Sequence, residues 1–90
     1  MSGAPCTIQL FNDGHRLFAV AQVDLVSDDA DRKIKKRAVL RLGSRDFVVS
    51  SAHNFDPVNN TVKVVARERP AGQPQTDKAI LLVATKFKIK

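Results

Sequence analysis

Cationic side chains recur at alternate positions in separate stretches of this chain. Lys33, Lys35, Arg37 and Arg41 share one parity within residues 33–42, Lys63 and Arg67 within 61–68, and Lys86, Lys88 and Lys90 at 86–90. Successive side chains of an extended strand point to opposite faces, so each set projects to one side. Cations spaced in this way suit a polyanion. Each phosphate they neutralise releases condensed counterions, which makes binding salt-dependent and indifferent to sequence. Lysines act there as point charges, whereas an arginine grips phosphate with two parallel hydrogen bonds. Between residues 33 and 42 the opposite parity carries Ile34, Ala38, Leu40 and Leu42, with only Lys36 and Val39 out of step.

Other chemistries find less support. His15 and His53 both fall in turn sequences, where nothing holds an imidazole beside a reacting partner. Cys6 stands near the N-terminal end of the chain, without the electropositive setting that makes a thiol nucleophilic, and reads as structural. Asp28, Asp29 and Asp31 suggest a hard cation, but Arg32 and Lys33 follow at once and oppose it, and the glycine and glutamate of a calcium loop are missing. Glycines stand alone at positions 3, 14, 43 and 72, so no phosphate loop can be formed. Asn59-Asn60-Thr61 matches a glycosylation acceptor and reads as a turn. No cofactor, metal or small-molecule substrate is expected, and the chain is expected to be non-enzymatic.

Base recognition needs exposed aromatics, and the chain has neither tryptophan nor tyrosine. Phe55 and Phe18 are the stacking candidates, with core coverage the favoured role of Phe55. Phe47 and Phe87 sit among apolar neighbours and are expected in the core.

The elements that must position these residues are strands. Turn chemistry marks Asn12–His15, Ser27–Asp31, Gly43-Ser44, His53–Asn60 and Arg69–Asp77. Between them, Thr7–Phe11, Arg16–Val26, Lys33–Leu42, Arg45–Ala52, Thr61–Glu68 and Lys78–Lys90 read as strands. The expected fold is all-β: an antiparallel meander of about six strands forming a small barrel or curved sheet. The alternative is α+β with a helix at about residues 28–42, capped by Ser27 and stopped by Gly43. A second helix at Lys78–Lys86, capped by Thr76 or Asp77, is disfavoured by β-branched content. The unbroken run at 79–84 predicts burial on both faces. Ile80, Leu81, Leu82 and Val83 are therefore the expected self-association residues of a homo-oligomer.

Composition bounds the rest. Ninety residues make a single domain, 1–90, and 43% hydrophobic with 27% charged residues is the balance of a folded chain. No apolar run approaches the roughly 18–20 residues of a spanning helix, and the N-terminus lacks the pattern of a secretory signal. One cysteine permits neither an internal disulfide nor a cysteine zinc site. The net charge of +6 is uneven: residues 1–31 carry −4 and residues 32–90 carry +10. Such asymmetry predicts one strongly positive region and a polyanionic partner. The leading expectation is a protein that contacts nucleic-acid backbone, DNA or RNA, through Lys33, Lys35, Arg37, Arg41, Lys63, Arg67, Lys86 and Lys88. The alternatives are a structural subunit of a virion or other assembly, and a small inhibitor or adaptor docking on an acidic protein. No membrane contact is expected, and the location is cytoplasmic or within a virion.

Overall fold

The computed structural model describes residues 5–25, 32–70 and 80–90, with the backbone but not the side chains of His53 and Asn54. The strands are β1 (Cys6–Phe11), β2 (Leu17–Val23), β3 (Val39–Leu42), β4 (Arg45–Asp56), β5 (Thr61–Glu68), β6 (Leu81–Val83) and β7 (Lys86–Ile89). They form one curled open sheet, a half-barrel, in the order β6, β3, β4, β5, β1, β2, β7. The all-β class and the curved sheet are as the sequence predicts. The acidic triplet at 28–31, the caps at Ser27, Thr76 and Asp77, and Lys78 lie outside the described residues.

Alternation explains the strands. β1 buries Cys6, Ile8 and Leu10 and leaves Thr7, Gln9 and Phe11 half-buried. β2 buries Ala19, Ala21 and Val23, and β5 buries Val62, Val64 and Ala66. Leu40, Leu42, Phe47, Val49 and Leu82 join them on the concave side. In β2, Leu10 pairs with Ala19 and Phe11 with Leu17, so Phe18 is an extra residue. Such a bulge bends its strand. It lets Phe18 reach Phe47 across the curl, with ring centroids 5.6 Å apart.

The turns are built by short polar side chains. Asn12 Oδ1 accepts hydrogen bonds from Gly14 N at 2.9 Å and Arg16 N at 3.1 Å. Asp56 Oδ1 accepts from Val58 N at 3.0 Å and Asn59 N at 3.3 Å. Asn60 takes a φ of 49°, which asparagine tolerates better than most residues, and donates from Nδ2 to Leu25 O at 3.1 Å. Gly43 opens the two-residue β3–β4 turn with a φ of 67°.

Several sequence expectations need correction. The order is not that of a meander: β1 lies parallel to β5, and β3 parallel to β6. Burying the apolar side of β1 between β5 and β2 closes one core, which consecutive hairpins alone would leave split. Residues 33–42 are not one strand. β3 begins at Val39, and residues 34–37 bend and turn, with Ala38 N donating to Lys35 O and Arg37 at a φ of 80°. The turn sends Ile34 and Ala38, four residues apart, into the core together. The helix weighed over 28–42 does not extend through it: residues 28–31 lie outside the described residues, Arg32 and Lys33 are helical, and the chain leaves the helix at Ile34, with Val39–Leu42 in strand. β4 runs on through His53 to Asp56, so the turn starts only at Pro57, whose missing N–H ends the ladder. The last stretch is two strands separated by Ala84 and Thr85.

Those two residues join the ends of the sheet. Ala84 N donates to Arg41 O at 2.9 Å and Thr85 N to Gln22 O at 2.8 Å. One short run of chain thus leaves β3 and arrives at β2, the strands next to the two ends. The described residues of the run at 79–84, which start at Ile80, are not covered on both faces either. Leu82 is 7% exposed, but Leu81 and Val83 are 37% and 56% exposed, because β6 ends the sheet and nothing among the described residues lies over its outer side. Ile80 packs partly against the core.

Candidate nucleic-acid interface

The structure divides the expected cationic set into three groups. Lys33, in the helical residues 32–33, and Lys35 and Arg37, in the bend and turn that follow, are exposed before β3 and share no strand with Arg41. The arginines Arg41 and Arg67 are held in ion pairs. Arg41 Nε donates to Asp46 Oδ1 at 2.9 Å and its Nη2 to Oδ2 at 3.2 Å. Arg69 Nη2 reaches the same Oδ2 at 2.7 Å. Arg67 Nη2 lies 2.9 Å from Asp13 Oδ2. Hydrogen bonds from Arg41, then from Arg69, hold the Asp46 carboxyl below its ordinary range despite some desolvation. Arg41 thus ties β3 to β4, while Arg67 meets a carboxylate of the β1–β2 turn in an open surface pair.

Lys63, Lys86 and Lys88 form the third group, and the register brings them to one face. Gln9 of β1 pairs with Lys63 of β5 and with Val20 of β2, and Val20 pairs with Lys88 of β7. Lys63, Gln9, Val20 and Lys88 therefore make one row across four strands. The next row is Thr61, Thr7, Gln22 and Lys86. Both rows lie on the convex side, opposite Ile8, Ala21 and Val62. With strands about 4.8 Å apart, Lys63 and Lys88 stand about 15 Å apart, and Lys86 and Lys88 about 7 Å apart along β7.

No acidic residue stands between the lysines in either row, although Asp56 of β4 pairs with Thr61 at the far end of the second. Among the described residues none of the three lysines enters an ion pair. Asp24 follows the end of β2, beyond the paired rows. The neighbours of the lysines are amides, hydroxyls and one valine, which compete weakly for an anion. The face thus carries three lysines without ion pairs, polar groups between them, and Asp24 and Asp56 at its margin.

The aromatics fall differently from expectation. Phe18 and Phe55 pack against the core rather than standing free, and Phe47 is buried among them. Phe87 is not core: it is 46% exposed and lies over the β3–β4 turn, where a Cβ on Gly43 would come within 3.0 Å of its ring. The sequence marks Phe11 only as the last residue of the strand Thr7–Phe11. It is half-buried on the convex side, paired with Val65 and Leu17.

Two other features bear on chemistry. A cleft of about 300 Å³ opens beside Phe18 and Phe47, rimmed by the Arg45–Glu68 and Arg67–Asp13 pairs. Arg45 also lies 5.3 Å from the Phe47 ring centroid. The rim charges compensate each other, and the described residues lining the cleft include no histidine, cysteine or hydroxyl group. Cys6 is buried at the start of β1, and desolvation pushes its thiol up to about 11, which keeps it protonated and unreactive at neutral pH. His15 is exposed in the β1–β2 turn. Among the described residues no cluster of ligating side chains is arranged for a metal ion, and no helix is long and apolar enough to cross a membrane. No protein-family model matches the chain, and no curated protein or solved structure matches it significantly, so the role of the convex face is argued from its chemistry alone.

Proposed function

We propose that this protein is a non-enzymatic nucleic-acid binder that holds the phosphate backbone against the convex face of β5, β1, β2 and β7. Lys63, Lys86 and Lys88 supply the charge. The observation that carries this reading is the register, which sets the three lysines in two adjacent rows without an intervening carboxylate. Lysine is a compact charge on a flexible stem, so these contacts do not fix a base sequence.

The test is anisotropy of a labelled oligonucleotide across a salt series. Each lysine that neutralises a phosphate contributes about 0.7–0.9 to the slope of log affinity against log salt. The Lys63→Gln/Lys86→Gln/Lys88→Gln protein should bind more weakly, with the slope smaller by about 2–3. A control protein with Lys33, Lys35 and Arg37 changed to glutamine removes the same charge elsewhere. Equal losses in the two proteins, or unchanged binding in the first, would refute the face.

A second reading, an assembling subunit, has its own observation. β6 ends the sheet with Leu81 and Val83 exposed on its outer side, and an unpaired apolar edge invites a second copy. The changed residue for that test is Val83→Lys. Light scattering should then report a smaller mass than for the parent; an identical mass excludes this edge.

A further inference from the structure

We infer that the nucleic acid taken by the convex face is single-stranded, with unpaired bases laid against Phe11, Leu17 and Val20. This rests on the backbone-contact reading above and names its substrate class. The three side chains are half-buried, and none belongs to the residues packed on the core. They therefore form apolar surface on the outer side of the sheet. Phe11 pairs with Leu17, and Val20 stands in the row of Lys63 and Lys88. Two residues along β1, about 7 Å, separate the row of Phe11 from that of Gln9. The apolar strip thus runs beside the lysines.

A duplex gains little from such a surface. It presents phosphates outward and keeps its base faces stacked inside, so the strip would lose water with no apolar partner. A single strand carries base faces and phosphates together. Its bases can cover Phe11, Leu17 and Val20 while its phosphates reach Lys63 on one side and Lys88 on the other. Thr7, Gln9 and Gln22 stand between the lysines. Their amides and hydroxyl both donate and accept, which accommodates any base edge. A lipid surface shares the negative charge, but it rewards apolar groups that project beyond the lysines. Phe11, Leu17 and Val20 are half-buried within the sheet surface instead.

The chain has no tryptophan, so Phe11→Trp introduces a single reporter on the strip. Its fluorescence should be quenched by oligothymidylate and left unchanged by a duplex of equal length. The Phe11→Leu protein should bind oligothymidylate about tenfold more weakly than the parent, with an unaltered salt slope, since stacking is neutral in charge. Circular dichroism melting establishes that both variants fold. Binding of oligothymidylate without quenching overturns the inference, as does a duplex bound at least as tightly as the single strand. If the lysine variants still weaken binding in that event, the backbone reading stands alone. If the lysine variants change nothing, both fall. Binding to anionic phosphatidylserine vesicles with no binding to oligothymidylate also overturns it.

Discussion

Replacing Asp46 by asparagine removes the charge on which two arginines converge. Arg69 and Asp46 are shielded from water, with side chains 16% and 13% exposed, so their 2.7 Å contact is the part that counts. A hydrogen bond to a charged group of this kind stabilises by about 1.5–3 kcal/mol. Arg41 is 40% exposed, so its two hydrogen bonds, the largest cause of the lowered carboxyl pKa, are screened and add a smaller share of stability. Asparagine offers one oxygen to two guanidinium groups and turns an NH2 donor toward the other. The expected loss at pH 7 is about 2 kcal/mol, or roughly 10 °C in melting temperature for a domain of this size. The sign of the pH dependence follows from the lowered carboxyl pKa. Its contribution is complete above the ordinary aspartate value and is lost as pH falls through the folded value. Melting curves of the two proteins should therefore differ at pH 7 and draw together below about pH 4. Other carboxylates titrate in both proteins and cancel from the difference. A gap that stays constant down to pH 2, or no gap at neutral pH, would refute the assignment of stability to this ion pair.

The remaining predictions concern packing. Gly43→Ala should cost about 1–2 kcal/mol, from its positive φ together with the approach of Phe87. Adding Phe87→Ala should recover only the steric share, and full recovery in a double-mutant cycle would contradict the backbone argument. Leu82→Ala should cost about 2–4 kcal/mol and Leu81→Ala within about 0.5 kcal/mol in the monomer, because only the first removes core. Equal costs in urea denaturation would mean that β6 is placed in the wrong register.

What the sequence revealed follows from the range of each signal. Alternation is local, so the apolar side of β5 and the outward lysines of β7 could be read directly, whereas Thr7–Phe11 alternates too weakly to show its faces. Asn12 and Gly43 marked their turns because their backbone demands are also local. The same logic failed at 33–37, where apolar residues at Ile34 and Ala38 satisfy alternation and a tight turn equally well. Which strands neighbour each other depends on long-range pairing. Nothing in Thr7–Phe11 reveals that Thr61–Val65 will lie beside it. For that reason Lys63 could not be joined to Lys88 in advance, nor Arg41 assigned to Asp46. Phe11 escaped notice because its role depends on which side of the finished sheet remains uncovered.

The bridge at Ala84 and Thr85 has a bearing on how the chain reaches its fold. β6 and β7 come after every other strand, yet they cover the outer edges of β3 and β2. A growing or refolding chain that has built β1 to β5 still presents two bare edges. Such edges template intermolecular pairing. Pairings this distant in sequence form slowly, on the millisecond-to-second scale typical of small β proteins. The interval before the last segment docks is therefore the period of greatest exposure to aggregation, and a single run of chain, joined at Ala84 and Thr85, ends it on both sides of the sheet.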